Sequence, residues 1–505
     1  MAEEFKQLSP LEFFYRNKEL AGFTNPSRAI YSAVREFVEN SLDACELHGI
    51  PPQIYLRISL EDQISAYEKI YEILIYDNGS GIPKKELLNA FSKPFYSTKY
   101  VFRQSRGIFG LGGTLALLYG QLTTNKPITI TSSIGDEYIH SYTFLMDVKG
   151  GKPKILMSKR LKNSKRWHGT IVKFSLMGNY PRVSNKIIEY LRQTTIAAPY
   201  AEIEFVDPLG RFFLFRRAVD HVPLPPRKIK PHPKGVDIRT VEEMIKANDS
   251  QMTLAEFLSK SFHRVGDKIA RKFLKNAGFD PEIKLEDLNG DMILKLVNSM
   301  RNYKGFLPPS PKVLSPIGEE LFKRGIEKEF MPEFLEVITR PPSSYEGHPF
   351  IIEAALAYGG KIKGKEGEIM IYRFANKIPL LYDEGSDVTT KVIEDINWSY
   401  YKRPEDKPIA FFFHICSTKI PFRSLGKEFI ADIPEIEKEI KAAVRVLLRK
   451  LTKYAIGKER QRRLKRKIEI YKRYLGKIAE FSTKLVEKEE PPDISRLLRV
   501  VREYD

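Results

Sequence analysis

Three short stretches carry residue types that can do chemistry together. Glu36 and Asn40 are four residues apart, with Asp43 about one turn beyond. On a helix that spacing puts a carboxylate and an amide on one face. The carboxylate can act as general base toward a water. The amide oxygen suits Mg2+, a hard cation that takes oxygen ligands. A solvated polar face has the same pattern, Glu39 competes with Glu36 as base, and Arg35–Glu39 is also an ordinary i,i+4 ion pair. The second stretch is Asp77-Asn78-Gly79-Ser80-Gly81. Asp-Asn-Gly is good turn chemistry by itself, but the two glycines also let backbone approach a flat ligand closely. An aspartate at the base of such a pocket can accept a hydrogen bond from the amino group of adenine, where guanine has a carbonyl. The third stretch is Tyr96-Ser97-Thr98-Lys99, followed by Arg106-Gly107-Ile108-Phe109-Gly110-Leu111-Gly112-Gly113-Thr114. Its glycines allow a tight lid whose N–H groups converge on phosphate oxygens. It matches neither the Rossmann nor the P-loop spacing, and a plain surface loop stays open as a reading.

These residues need particular elements to hold them. Asn25-Pro26 is a good helix start, Asn as N-cap and Pro in the first turn, and the helix should run to about Cys45. Ile30, Val34, Phe37, Val38, Ser41 and Cys45 recur at helical spacing toward a core, leaving Glu36 and Asn40 on another face. Ile73–Tyr76 reads as a buried strand delivering Asp77. The run Leu115–Tyr119 reads as a helix whose N-terminus adds its dipole to the glycine lid.

The whole chain has 505 residues, enough for about three domains. Residues 21–225 alternate helical and strand patterns, after an arm at 1–20. Prolines 223, 225, 226, 231 and 233 mark a stiff linker. Residues 226–306 read as short helices, such as Leu254–Phe262 and Ile269–Asn276. Leu307–Pro311 marks a second break. Residues 307–470 return to mixed α/β, with strand-like runs at Ile351–Tyr358, Ile369–Phe374 and Ile409–Cys416. From Ile433 to about Leu485 the pattern is helical and very basic, and 471–505 reads as a helical tail. The formal charge is +19, which favours a polyanionic partner. Two cysteines, Cys45 and Cys416, exclude a disulfide framework and a zinc set. No signal-peptide core and no run of about 18 apolar residues is present, so the expectation is a cytoplasmic protein without a membrane span.

In order, Glu36/Asn40, Asp77–Gly81 and Gly107–Gly113 resemble the core motifs of the ATPase superfamily of gyrase, the heat-shock chaperone, histidine kinases and mismatch-repair proteins. His168-Gly169-Thr170, leading into Ile171–Phe174, resembles that fold's late Gly-Thr strand. More specific stretches narrow the match. Phe13-Phe14-x-Arg16-Asn17, Glu19–Phe23, Glu39–Ala44, Gly347–Phe350, Tyr372–Leu380 and Ser417–Pro421 resemble the B subunits of archaeal type IIB DNA topoisomerases. The resemblance covers nearly the whole chain. It implies an α+β, multidomain fold: a Bergerat-type ATPase sandwich, a small helix-two-turn-helix domain, and a transducer domain with a long C-terminal helix. It makes Glu36 the general base, has Asn40 hold Mg2+, and has Asp77 read the adenine of ATP. Gly81, Ser97, Thr98, Lys99, Thr170 and the lid Gly107, Ile108, Phe109, Gly110, Leu111, Gly112, Gly113 and Thr114 would complete the ATP site. Lys427 matches the transducer lysine that reaches the terminal phosphate; without the family it is not distinguishable from Lys419. The sequence departs from the family at Gly113-Thr114, where a bulkier residue and a lysine are usual.

The resemblance further implies a DNA-cleaving A subunit as partner, a heterotetramer of two A and two B, ATP-dependent self-association, and a duplex as substrate, hence a nucleoid-associated location. Lys458–Lys467 is a solvated helix face that can also follow DNA. After Pro491-Pro492, Ile494, Leu497, Leu498, Val501 and Tyr504 form an apolar stripe. A helix of about 12 residues needs a surface to bury it, either this chain's third domain or the A subunit. The rival readings are a repair or chaperone ATPase, against which the third-domain motifs speak, and a non-enzymatic DNA scaffold, against which intact Glu36 and Asn40 speak.

Overall fold

A computed structural model describes residues 10–16, 23, 25–65, 69–97, 102–107, 110–147, 152–404, 406–422, 427–487, 490 and 493–495. A short helix α1 (Pro10–Arg16) precedes α2 (Pro26–Glu46). The Asn25 side chain accepts the Arg28 N–H at 2.8 Å, and Pro26 opens the first turn, so α2 starts where capping chemistry places it. Then come β1 (Gln53–Gln63), β2 (Lys69–Asp77), α3 (Lys84–Ser92), α4 (Gly112–Thr124), β3 (Ile128–Ile134), β4 (Tyr138–Leu145), β5 (Lys154–Lys162), β6 (His168–Gly178), α5 (Tyr180–Ala197), β7 (Glu202–Val206) and β8 (Phe212–Phe215). The strands make one sheet in the order β5-β4-β3-β6-β2-β1-β7-β8, antiparallel except for β1 beside β7. Alternate residues Ile54, Leu56 and Ile58, then Tyr71, Ile73 and Ile75, then Val172, Phe174 and Leu176 are buried with α2, α4 and α5 in one core. The opposite face carries cross-strand ion pairs such as Lys173–Glu72 at 2.6 Å, the pattern of an antiparallel sheet with one wet face.

No regular element lies between β8 and Pro233, as the prolines predict. Four helices follow, α6 (Ile238–Lys246), α7 (Leu254–Ser261), α8 (Asp267–Ala277) and α9 (Gly290–Asn302), around a separate core that includes Phe257, Phe273 and Leu296.

The third unit has α10 (Glu319–Phe330), β9 (Phe334–Thr339), β10 (Ser343–Tyr345), β11 (His348–Tyr358), β12 (Ile369–Ala375), β13 (Ile378–Pro379), α11 (Val388–Glu394), β14 (Ile409–Ser417) and α12 (Pro434–Leu485). Its sheet runs β10-β11-β14-β12-β13, with β9 also on β11. Every residue of β11 and β14 is buried, because both faces are covered. Ile352, Ala354 and Leu356 face the core shared with α12. Ala355 and Ala357 join the core of the first unit, together with Phe322 and Ile326 of α10. The third unit is thus welded to the first through apolar packing. The expected boundary at 470/471 falls inside α12, which runs unbroken through it with 52 residues. A helix-compatible sequence continues there, and an exposed helix needs no core to persist across a domain's edge.

The weld is tight where α10 crosses α5. A Cβ on Gly325 would lie 2.2 Å from the carbonyl oxygen of Ile196, which is backbone and cannot swing away. Gly325→Ala is therefore expected to destabilise the protein by about 1–3 kcal/mol, read as a lower midpoint in denaturant unfolding. A midpoint equal to wild type would mean that the two helices slide freely past each other.

Candidate functional site

Residues from α2, the turn after β2, α3, the glycine lid and the third unit surround a cavity of about 910 Å3. Its wall includes Glu36, Asn40, Gly81, Ser97, Gly107, Gly110, Leu111, Gly112, Gly113, Thr114 and Lys427. Thr98, Lys99, Ile108 and Phe109 lie outside the described residues. Asp77 and Thr170 do not line the wall. They are paired across β2 and β6 directly beneath it, and both are buried.

Asp77 ends β2 with its carboxylate turned into the protein. It accepts the Gly79 N–H at 2.9 Å and the Ser41 hydroxyl at 3.1 Å. Burial pushes its pKa up to about 6, against the opposing pull of those two donors. His168 Nδ1 lies 2.8 Å from the Gly79 carbonyl, tying the start of β6 to the same turn.

Glu36 and Asn40 project from α2 into the cavity, while Glu39, one turn away from the wall, is only 2 % exposed. This separates the two candidate bases: only Glu36 faces the space a ligand can fill. The first turn of α4 comes so near Glu36 that a Cβ on Gly112 would lie 1.8 Å from Oε2. A larger residue there would displace either the carboxylate or the lid, so the constraint at Gly112 is close approach to Glu36 rather than turn geometry. Gly113 is less constrained; a Cβ there would make only an ordinary 3.4 Å contact with Asn40 Nδ2.

Lys427 enters from the third unit with a left-handed backbone (φ 52). Its Nζ donates to Glu39 Oε2 at 3.0 Å and lies 3.7 Å from Glu36 Oε1. Burial works against its charge, but Glu36 and Glu39 together raise its pKa above the ordinary lysine value. Arg35 Nη2 is 3.3 Å from Glu36 Oε1. By contrast Lys419 is exposed and away from the cavity.

Sequence reasoning missed the apolar part of the wall, Phe14, Phe91 and Phe95, which suits a planar ring. Phe14 and Phe91 sit on two short helices, α1 and α3, and Phe95 in the segment after α3, so no common spacing links them. It also missed the partners of Arg106. In the sequence Arg106 is only the residue before Gly107. In the structure it is buried, with Nη1 on Asp43 at 2.9 Å and Nη2 on Glu46 at 2.6 Å.

The site suits a nucleotide by the chemistry of its donors. Its parts are a cradle of close-approach glycines at a helix N-terminus, one amide oxygen beside a carboxylate, a buried acceptor beneath a flat apolar wall, and a mobile-stemmed cation opposite. Residues 25–143 match the family described as histidine kinase-, DNA gyrase B-, and HSP90-like ATPase. Residues 309–467 match the topoisomerase VI B subunit transducer. The chain is 43% identical over 479 residues to the B subunit of type 2 DNA topoisomerase 6 from Metallosphaera sedula, covering 94% of this chain and 90% of that protein. It is 44% identical over 481 residues to the protein of the same name from Sulfurisphaera tokodaii, covering 95% and 90%. Among solved structures, the gyrase B subunit of Myxococcus xanthus aligns at 11% identity over 88% of this chain and 95% of that one, with a TM-score of 0.41, too loose to add to this. Two family models that fall on the two sheet-bearing units, and relatives of this identity along almost the whole length, place the chain in one family: it belongs to the B subunits of type 2 DNA topoisomerase 6.

Proposed function

We propose that this chain is a nucleotide-operated clamp: ATP drives two copies together, and the closed pair gates passage of one duplex through a break made by a partner A subunit. The chain is the B subunit of an ATP-dependent type II topoisomerase, and such a chain works with an A subunit and DNA. The finer reading is a heterotetramer of two A and two B, in the cytoplasm at the nucleoid. Among the described residues no helix is long and apolar enough to cross a membrane. The observation that carries the proposal is Lys427, a third-unit residue whose ammonium sits 3.0 Å from one α2 carboxylate and 3.7 Å from the other, at the wall of the first unit's cavity.

In this reading Glu36 takes the proton from the water that attacks the terminal phosphate. The N–H groups around Gly110–Thr114, at the N-terminus of α4, hold phosphate oxygens. Asn40 offers its side-chain oxygen to Mg2+, which would offset phosphate charge when bound. Lys427 exchanges its carboxylate partners for the terminal phosphate, so the third unit senses what the first unit holds. The A subunit supplies the strand-breaking chemistry. The test is relaxation of supercoiled plasmid by the chain with and without its A subunit and ATP. Relaxation only when all three are present supports the proposal, and relaxation by this chain alone would refute it.

Asp77 gives the nucleotide reading a pH signature. An adenine amino donor is held best by the ionised carboxylate, and burial has moved that ionisation to about pH 6. Affinity for a non-hydrolysable ATP analogue should therefore rise between about pH 5 and 7. The sign for the ligand-free fold is opposite, because a raised carboxylate pKa favours the native state below about pH 4 and that contribution is lost as pH climbs through 6. Asp77→Asn can turn a donor toward the adenine amino group and is expected to weaken binding at least about tenfold and to flatten this pH dependence. Unchanged affinity in calorimetric titration would move base recognition elsewhere.

A further inference from the structure

Lys377 has no part in the mechanism above, yet it is one of the most enclosed cations in the protein, 3 % exposed. It follows Asn376 at the tip of the β12–β13 hairpin, and both residues are left-handed, φ 47 and 67. A turn of that type ordinarily places glycine second, so a lysine there is held against backbone strain. What holds it is a polar chain that crosses between the two sheet-bearing units. Its Nζ lies 3.4 Å from Glu46 Oε2 and donates to the Tyr200 hydroxyl at 3.2 Å. Tyr200 donates in turn to Glu46 Oε1 at 2.7 Å. Glu46 ends α2 and also receives Arg106 Nη2, and although burial opposes it, Arg106 and then Lys377 hold its pKa below the ordinary carboxylate value. Arg106 is the residue before Gly107, where the lid begins, and its other arm holds Asp43 on the cavity wall. Asn376 Nδ2 reaches the Ser105 carbonyl at 3.0 Å.

The chain continues into the third unit. The Lys377 N–H donates to His414 Nε2 at 3.0 Å, which leaves the proton of a neutral imidazole on Nδ1. Nδ1 donates to Glu353 at 2.7 Å, and burial keeps that histidine's pKa below its ordinary value. Glu353 accepts the N–H groups of Ile317 and Gly318, immediately before α10, at 2.8 and 2.6 Å.

We infer that Lys377 is a positioning residue for the nucleotide lid, acting through Glu46 and Arg106, so that the third unit fixes where the lid starts independently of Lys427. Two cations and two carboxylates balance at the lid's base. Without Lys377, Arg106 has to answer both Glu46 and Asp43, and the lid's first residue loses its fixed position. Lys427 reads the far end of the nucleotide and Lys377 sets the cradle, so their losses should differ in kind. This inference rests on the nucleotide reading of the cavity proposed above.

The experiment is steady-state ATP turnover by the holoenzyme with its A subunit, alongside binding of a non-hydrolysable ATP analogue. Lys377→Met should raise KM and weaken analogue binding about tenfold with kcat within about threefold of wild type, and Lys377→Arg should recover most of the loss. Glu46→Gln should show the same split, and the double variant should be no worse than the poorer single one. If Lys377→Met does not fold, Tyr200→Phe decides: it keeps the shape, removes the bridging hydroxyl, and should raise KM about threefold at constant kcat. Analogue binding by wild type with unchanged KM in the variants would overturn this inference alone. Equal losses in KM and kcat, or additive losses in the double variant, would likewise overturn it. Absence of saturable analogue binding by wild type would overturn the nucleotide reading and this inference with it.

Discussion

Glu36→Gln is expected to bind ATP and pair with a second copy, but to turn ATP over at least about 100-fold more slowly, since general-base assistance contributes about 10²–10⁴ in rate. The amide keeps the shape that packs against Gly112, whose missing Cβ leaves room for Oε2, and it keeps an oxygen toward Arg35. It cannot accept the water's proton. The result should be a protein trapped in its closed, paired state, seen as a stable ATP-dependent dimer by size-exclusion chromatography. Turnover within about threefold of wild type would pass the role to another group. Glu39 is a poor substitute, because it is buried behind the wall and already engaged by Lys427.

Lys427→Ala is expected to lower holoenzyme ATP turnover and plasmid relaxation about 10²-fold, the order of loss when one fixed charge-stabilising donor is removed. Analogue affinity should stay within about threefold, because adenine and lid contacts remain. The variant also leaves Glu39 with less compensation in a buried place; Arg35 Nε at 3.5 Å remains. A moderate fall in thermal midpoint is therefore part of the expectation. Lys419→Ala, an exposed lysine eight residues earlier, is the matched control and should behave as wild type. Normal relaxation by Lys427→Ala would remove the coupling role. A truncation after residue 225 is a poorer control than it looks from sequence, since Phe322 and Ile326 of α10 belong to the first unit's core.

The elements that periodicity and capping define are legible in the sequence. The α2 helix is readable there from Asn25-Pro26 to about Cys45 and runs Pro26–Glu46; the run Ile73–Tyr76 sits within β2, Lys69–Asp77. Local chemistry decides such elements, and the strands β11, β12 and β14 are equally visible as apolar runs. Tertiary partnerships are not. Arg106 and Glu46 are 60 residues apart and Lys377 and Glu46 are 331 apart, so nothing in either neighbourhood announces the other. Family resemblance alone singles out Lys427 in the sequence, and its geometry against Glu36 and Glu39 supplies the physical reason for preferring it to Lys419. Ser424–Gly426 and, of the apolar stripe, Leu497, Leu498, Val501 and Tyr504 lie outside the described residues.

The long helix α12 has mechanical consequences. Its 52 residues correspond to about 78 Å at about 1.5 Å per residue. Near its middle it is clamped: Lys458 Nζ donates to Glu333 at 3.0 Å and to the Tyr358 hydroxyl at 3.0 Å, and Arg462 donates to Asp406 at 2.6 Å. Beyond that clamp the helix continues as an arm on which Tyr474, Ile478, Phe481 and Leu485 are largely exposed, while Ala479 and Thr483 are buried. From Arg463 to Leu485 the arm is about 35 Å long. A tilt of about 10° at the clamp would sweep its tip through about 6 Å. A stroke of that size is comparable to the separation of adjacent packed elements. In the proposed clamp, a small shift of the Lys427 ammonium that tilted α12 would become travel on the scale of an interface between proteins.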